Sequence, residues 1–341
     1  MAKLAGVSLP TASRVLNGGV RGTGSGTEES RVRVLAAAER LGYVVNAAAQ
    51  TTAAGASRSL ALIVSDLDDF GATTMISGVM HAAEARGLSV AVRATNDDAD
   101  HELRLLRDLR GERHRGVVMA TSRSNDFARE ARISDALGVL EDLGTRVVVI
   151  GQSELPYSSV VVDNRTAAGD LARRLCKGMR GRVAIVAGPA DQVTSRDRVA
   201  GFIRGAAEAG VEIEAEDIVH ESFNRDGGIA AADRLAPRIE RFALVAAMSD
   251  AMAVGIIAGL RRHGVIAPGR LEVSGFDNVP IIGDVLPGFS TVAVPLERFG
   301  EAAVSLLFET GDAPRRIELN ARPIVRGELA DSGDAESLPT H

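Results

Sequence analysis

The feature that most constrains the fold of this chain is a repeated alternation between short apolar runs and longer amphipathic segments. In the first series, the apolar runs lie at residues 60–64, 89–93, 116–119 and 146–150. The helical patterns between them cover residues 72–86, 99–110 and 134–143. Buried strands that alternate with helices predict a parallel sheet joined by helical crossovers.

The same alternation starts again in the second half of the chain. Its apolar runs lie at residues 160–162, 182–186, 243–246 and 271–274. Its helical patterns cover residues 165–177, 196–209, 226–236 and 250–263. Two such series predict an α/β core of two similar lobes, each with a parallel sheet. A ligand would lie in the cleft between them, beyond the carboxyl ends of the strands.

The first residues have a different pattern, that of two short helices joined by a tight turn over residues 2–17. Gly6 tolerates the positive φ that such a bend requires. Ser8 is a favourable N-cap for the second helix, and Pro10 suits its first turn. A third helix is predicted over residues 28–41. These segments predict an all-α helix-turn-helix headpiece, the layout of a DNA reader.

The third helix is expected to bury one apolar stripe, formed by Val34, Leu35, Ala38 and Leu41.

The charge of the head differs from that of the rest of the chain. Residues 1–58 hold seven Lys or Arg and three Glu, whereas the whole chain has a net charge of −6. A basic head on an acidic body favours contact with nucleic acid through the head alone.

Several stretches resemble the lactose-repressor (LacI/GalR) family of bacterial transcriptional regulators. In the head they are Ala-Lys-Leu-Ala-Gly-Val-Ser at residues 2–8, Thr-Ala-Ser-Arg-Val-Leu-Asn-Gly at 11–18, and residues 31–46. In the core they are residues 162–164 with 168–169, 195–202, 249–255, 274–278 and 287–295. Because these motifs occur in family order along nearly the whole chain, the resemblance implies a core like that of periplasmic sugar-binding proteins behind a DNA-binding head.

The polar outer face of the second helix is where DNA contact is expected. Ser8, Thr11, Ser13, Arg14 and Asn17 can meet phosphates and base edges, and Leu9 and Pro10 can give only apolar contact. The resemblance adds a hinge helix that inserts into the minor groove, and its matching positions here are Asn46, Ala49 and Thr52.

The effector residues are expected at strand ends facing the cleft. By family position, Arg198 and Asp277 are the first candidates, with an internal salt bridge as the alternative. Ser249 stands where the family usually has an amide, and Asp250 could line the cleft or serve as an N-cap. Asp68 and Phe70 follow the first core strand, where Phe70 could stack on a sugar or pack in the core.

The predicted domains are a headpiece over residues 1–45, a hinge over 46–58, a core over 59–332 and a tail over 333–341. The first lobe is expected at about residues 59–157 and 291–317, and the second at about 158–290 and 318–332. The resemblance implies a repressor that binds a pseudo-palindromic operator as a homodimer or tetramer. A small-molecule effector, with a sugar favoured, would set its affinity for double-stranded DNA.

Other classes of protein fit the sequence poorly. The six histidines are scattered, and no nucleophile, phosphate-loop or metal-ligand motif is found, so neither an enzyme nor a bound cofactor or metal is predicted. No apolar run is long enough for a membrane span, and no secretory signal is visible. The single cysteine, Cys176, lies among apolar residues and is expected to be a packed thiol. A cytoplasmic protein is therefore expected.

Three features predict a head that binds DNA more weakly than is typical of the family. The chain begins at a family Val position, which fits a true start upstream, and residues 18–26 form a long glycine-rich loop. Thr52 replaces the leucine that the family inserts into DNA, and Thr is the poorer helix former. A sensor with a degenerate head and a solute-binding protein with a chance N-terminus are the alternatives to the regulator.

Overall fold

The computed structural model describes residues 1–17, 27–43, 57–265, 271–311 and 313–326. The chain divides into two compact units. The head comprises Met1–Ser59 with Arg113–Arg115, and the core comprises Leu60–Glu112 with Gly116–His341. The expected hinge residues Asn46, Ala49 and Thr52 lie outside the described residues.

The described part of the head contains the helices α1 (Ala2–Ala5), α2 (Leu9–Asn17) and α3 (Glu28–Arg40). Gly6 ends α1 with a φ of 64°, as the predicted bend requires. Ala12 of α2 and Val34 of α3 are completely buried and belong to the same apolar cluster. The stripe predicted on α3 is partly wrong, because Leu35 and Leu41 are 46% and 54% exposed and the buried face runs through Val34, Ala37 and Ala38.

The strands of the core are β1 (Ser59–Val64), β2 (Ser89–Ala94), β3 (Gly116–Ala120), β4 (Arg146–Ile150), β5 (Ser158–Val161), β6 (Arg182–Ala187), β7 (Ile218–His220), β8 (Phe242–Ala247), β9 (Glu272–Ser274), β10 (Thr291–Ala293), β11 (Arg316–Glu318) and β12 (Arg322–Ile324). Its α-helices are α4 (Phe70–Glu84), α5 (Ala99–Glu112), α6 (Phe127–Asp142), α7 (Asn164–Leu175), α8 (Val193–Glu208), α9 (Arg225–Leu235), α10 (Asp250–Arg262), α11 (Pro280–Val285) and α12 (Leu296–Phe308).

The first lobe is built on a sheet with the strand order β11-β5-β4-β3-β1-β2. The pairs β1–β3, β3–β4, β4–β5 and β5–β11 are parallel, with Leu60 opposite Gly116 in the register of β1 and β3. Strands β1 and β3 are almost entirely buried, as expected for strands covered by helices on both faces. On one face, α4 and α12 approach so closely that a Cβ on Gly78 would lie 2.1 Å from the Glu297 carbonyl oxygen.

The second lobe has a parallel sheet with the strand order β7-β6-β8-β9. Helices α7 and α8 pack together on one face, and α9 and α10 pack together on the other. Cys176 lies in the first of these packed layers with no exposed surface, which confirms the expected core thiol. The mixed α/β class with parallel sheets is likewise confirmed.

The boundary between the two lobes and the start of one helix differ from those expected. Strand β5 pairs with β4 in the first sheet, so the first lobe extends beyond residue 157 and the second begins with α7. The reason is that Val160 and Val161 lie in the ladder between β4 and β11. Helix α6 begins seven residues before the predicted 134, because the Asp126 carboxylate accepts hydrogen bonds from the Ala128 and Arg129 amides and starts the helix there.

The lobes are joined by the antiparallel pair β10–β12 and by direct contacts. The Val193 amide donates to the Arg123 carbonyl at 2.8 Å, and Ser124 forms an isolated antiparallel bridge with Gln192. These backbone contacts bring the segment after β3 beside the segment before α8. Among the described residues, no helix is both long and apolar enough to cross a membrane.

Candidate functional site

The outer face of α2 exposes both polar and apolar side chains. Leu9 is 74% exposed, and Pro10, Ser13 and Arg14 are also exposed, whereas Ala12 on the opposite face is buried. The local fold follows from the sequence, since the Ser8 hydroxyl accepts from the Thr11 amide at 3.3 Å and caps the helix.

Two further side chains of this face are held within the helix. Ser8 and Thr11 share a hydroxyl–hydroxyl bond of 2.8 Å, and Arg14 Nε donates to the Pro10 carbonyl at 3.2 Å. Asn17 is the last residue of α2. The contact residues predicted on α2 therefore lie along one short helix and its start. Thr11 is half-buried, and Ser8, Leu9, Pro10, Ser13 and Arg14 are exposed.

A pocket of about 140 Å³ lies between the two lobes of the core. Its polar lining residues are Ser65, Asp66, Asp69, Asp97, Ser122, Gln192, Thr194, Arg198, Ser249 and Asp277. Its apolar lining comes from Gly71, Ala72, Met75, Ala120, Phe223 and Leu296. Ser65 follows β1, Ser249 follows β8 and Asp277 follows β9, so the pocket opens at the carboxyl ends of parallel strands, as expected for this topology.

Arg198 is the central cation of the pocket and projects from α8. Its Nε donates to Asn164 Oδ1 at 2.9 Å, its Nη1 to the Met248 carbonyl at 2.6 Å, and its Nη2 to Asp277 Oδ1 at 3.1 Å. The guanidinium also stacks on the Phe276 ring, with 3.8 Å between the guanidinium carbon and the ring centroid. These bonds fix the guanidinium in one orientation.

Asp277 faces Arg198 from the loop after β9. Its φ of 120° lies in a region that residues with a side chain rarely adopt, so the local fold holds this carboxyl in place at a cost. Burial raises the pKa of Asp277 to about 8, and the nearby carboxyls of Asp69 and Asp250 add to the shift, while Arg198 opposes it. The predicted alternatives for Arg198 and Asp277 coincide here, because the two form a salt bridge and also line the pocket.

Three more carboxyls line the first-lobe side. Asp69 caps α4 by accepting from the Gly71 amide at 2.9 Å, and burial raises its pKa. Burial also raises the pKa of Asp97, which has a φ of 56°. Asp66 lies close enough to raise the pKa of both neighbours. With Asp277, four carboxyl groups therefore line the pocket.

Side chains of the two lobes meet across the pocket. Gln192 Nε2 donates to Asp97 Oδ1 at 3.3 Å, and Asn224 Nδ2 donates to Asp66 Oδ2 at 3.2 Å. The Ser122 hydroxyl donates to Thr194 Oγ1 at 3.4 Å. These bonds connect the lobes in the arrangement seen here, and any opening of the cleft would break them.

Three of the predicted effector residues do not line the pocket. Asp68 is exposed, and its neighbours Asp66 and Asp69 point inward instead. Phe70 packs against the apolar core of the second lobe. Asp250 is completely buried, where its carboxylate accepts from the Val279 amide and the Thr291 hydroxyl, both at 2.8 Å.

The N-cap expected of Asp250 belongs to Ser249, whose hydroxyl accepts from the Met252 amide. Asp250 is the first residue of α10, and its bonds instead attach that helix to α11 and β10. Burial raises the pKa of Asp250 to about 6.

The residue-by-residue prediction missed Asp97, Ser122, Gln192 and Thr194. The signal for the first two was available, because each closely follows an apolar run predicted as a strand. Gln192 and Thr194 gave no such signal, since they begin α8 and reach the pocket only because the lobes meet there. No group of three or more His, Cys, Asp or Glu is arranged to hold a metal ion in the described part of the chain.

Comparisons with known proteins agree with this architecture. The family model described as "Bacterial regulatory proteins, lacI family" matches residues 1–46, and the "Periplasmic binding protein-like domain" matches residues 175–327. The catabolite control protein A of Priestia megaterium is 28% identical over 330 residues, covering 93% of this chain and 96% of the relative.

Two solved structures extend the comparison over 95% of this chain. A transcriptional regulator CelR–cellobiose complex has a TM-score of 0.68 and 26% identity, with 97% of that chain covered. A lac repressor dimer bound to operator and the anti-inducer ONPF has a TM-score of 0.76 with 96% of that chain covered, and at 18% identity it supports the fold alone. The lacI-family model thus matches the head, the periplasmic binding protein-like model matches part of the core, and the regulator CelR resembles the chain over nearly its whole length.

Proposed function

We propose that this chain is a ligand-responsive transcriptional repressor. The head would bind one half of a pseudo-palindromic operator, and a second copy of the chain would bind the other half. Two copies are needed because one small head offers too few base contacts for specificity. A homodimer is the simplest assembly, with a tetramer as a pair of dimers. The solved lac repressor dimer on its operator supports this reading by analogy of fold.

The observation that carries the proposal is the exposed face of α2. Ser13 and Arg14 are exposed beside Leu9 and Pro10, while Ala12 on the other face holds the helix to the head's core. An exposed helix with an arginine and hydroxyls suits the major groove, where Arg reads guanine and apolar side chains contact the thymine methyl. The proposed DNA-contacting set is completed by Ser8, Thr11, Asn17 and the hinge positions Asn46, Ala49 and Thr52.

The interlobe pocket would bind the effector. Arg198, Ser249 and Asp277 are the predicted contacts that line it, and Asp66, Asp69 and Asp97 join them. A compound with many hydroxyl groups, such as a sugar, suits such a lining, since carboxylates accept from hydroxyls. The cellobiose bound by the relative CelR supports a sugar. Effector binding would change how the lobes meet and so alter operator affinity, a coupling between two sites.

The first experiment tests DNA binding. Duplexes selected from a random pool by the full chain would be titrated by fluorescence anisotropy at fixed salt. Arg14→Ala is expected to weaken binding by about 1–3 kcal/mol if the side chain contacts a base. Arg132→Ala is the matched control, because Arg132 is an exposed arginine on α6 of the core. Equal affinities for the Arg14→Ala variant and the native chain would contradict the assigned face.

A further inference from the structure

The charge of the interlobe pocket is the feature that goes beyond a general sugar site. Four carboxyl groups line it, those of Asp66, Asp69, Asp97 and Asp277. Among the described lining residues, Arg198 is the one basic side chain, and its charge is committed to the ion pair with Asp277. The other three carboxyls form no ion pair with a basic side chain in the described part of the chain, although Arg198 lies near enough to Asp69, and Arg129 to Asp97, to oppose the rise of their pKa values.

Two of the carboxyls converge on the same point. Beside Gly71, the place that a Cβ would occupy lies 3.4 Å from Asp69 Oδ1 and 3.6 Å from Asp277 Oδ2. The two carboxyl oxygens therefore lie close enough together for one ligand to contact both. A small cation with several N–H donors could thus contact the two carboxylates together.

A second observation, independent of the carboxyl groups, also favours a ligand that donates a hydrogen bond. Gln192 lines the pocket with 6% of its surface exposed, and its Oε1 accepts no hydrogen bond from any described residue. The orientation of the amide is fixed, because its Nε2 donates to the Asp97 carboxylate. Turning the amide over would place oxygen against oxygen. A buried acceptor without a donor is costly, so a ligand that donates here would gain affinity.

We propose that the ligand of this pocket is a polyhydroxylated compound carrying one protonated amine, the chemistry of a free hexosamine. This proposal rests on the effector site proposed above and specifies what that site selects. The ammonium would lie among Asp69, Asp97 and Asp277, and a donor of the ligand would reach Gln192 Oε1. An anionic sugar, such as a sugar phosphate, would be excluded by the same carboxylates.

The test compares matched sugars on the full chain by isothermal titration calorimetry. Each set contains a free hexosamine, its N-acetyl derivative and the parent hexose, taken from the glucose, galactose and mannose series. The free amine of at least one set is expected to bind at least about tenfold more tightly than its two neutral partners, because only it forms charge-assisted bonds. A neutral partner that binds as tightly would overturn the proposal, as would a failure of all three amines to bind at about 10 mM.

Variants assign the binding to these carboxyls. Asp69→Asn keeps a side chain that can cap α4, and Asp97→Asn suits a positive φ, so each removes a charge with little change of backbone. Each is expected to weaken hexosamine binding by at least about tenfold. Asp68→Asn is the control, because it removes the same charge from an exposed neighbour outside the pocket and should leave binding unchanged. If Asp69→Asn does not fold, hexosamine binding by Asp97→Asn alone decides whether the pocket carboxyls bind the ligand.

The same samples separate this proposal from the regulatory function. A neutral sugar that binds in the pocket as tightly as the amine and changes operator affinity would overturn the proposed amine ligand. The same result would support the proposed regulatory function. A hexosamine that binds as expected but leaves operator affinity unchanged would support the ligand class while contradicting the effector role.

Discussion

Arg198 offers a quantitative prediction, because one truncation removes the central cation of the core. Arg198→Ala loses the bonds to Asn164, to the Met248 carbonyl and to Asp277, and it loses the stacking on Phe276. Hydrogen bonds made by a charged group contribute about 1.5–3 kcal/mol each, and breaking a buried ion pair costs about 3–5 kcal/mol. We expect the free energy of unfolding of the core to fall by about 4 kcal/mol.

The assay is urea unfolding of the full chain followed by circular dichroism. It should be run at about pH 9, where the Asp277 carboxyl, whose pKa is raised to about 8, is mostly charged. Arg132→Ala is the control, since its ion pair with Asp100 is 57% and 71% exposed and should contribute about 0–1 kcal/mol.

A double variant checks the reason for the loss. In Arg198→Ala with Asp277→Asn, no buried charge is left unpaired, so the double variant should be more stable than Arg198→Ala alone near about pH 9. A loss below about 1 kcal/mol for Arg198→Ala, or a double variant less stable than the single one, would refute the assigned role of this ion pair.

Three more results follow from the pocket, the hinge and the core. Because the pKa of Asp277 is raised to about 8 in the folded state, its contribution to stability is lost as the pH rises through that value. The native core should therefore be more stable at about pH 6 than at about pH 8 by roughly 2 kcal/mol. Urea unfolding of Asp277→Asn at both pH values should show that the substitution removes most of this difference. Thr52→Leu should tighten operator binding and increase the bend angle in gel-shift assays with permuted sites. A native chain with nanomolar affinity and a strong bend that this change does not improve would contradict the expected weakness of the head. Burial raises the pKa of Cys176 to about 11, so its thiol should react with a disulfide reagent only after unfolding, and rapid labelling of the native chain would contradict its placement in the core.

Features set by local chemistry were predictable from the sequence. The bend at Gly6, the cap at Ser8 and the alternation of buried strands with helices each depend on residues within one element or its ends. These local signals were enough to give the α/β class and the helix-turn-helix head. Arg198 and Asp277 were located by family position and lie in the pocket.

The errors arise where distant contacts decide the outcome. Strand β5 belongs to the first sheet because β11, which lies more than 150 residues later, pairs with it. Asp250 is buried because the Val279 amide and the Thr291 hydroxyl take both carboxylate oxygens. Gln192 and Asp97 meet only when the lobes come together, so no pattern within either segment could have paired them.

The central claim is that the arrangement of the lobes controls the affinity of the head for DNA, and a disulfide across the pocket tests it without any ligand. The hydroxyl oxygens of Ser122 and Thr194 lie 3.4 Å apart across the lobes, so Ser122→Cys with Thr194→Cys places two thiols within reach. Cys176 is buried and should not interfere. Operator affinity would be measured by fluorescence anisotropy for the oxidised and reduced forms, with each single variant as the control for oxidation. We predict that locking the lobes changes operator affinity by at least about fivefold. Equal affinities for a fully oxidised and a fully reduced double variant would contradict the claim.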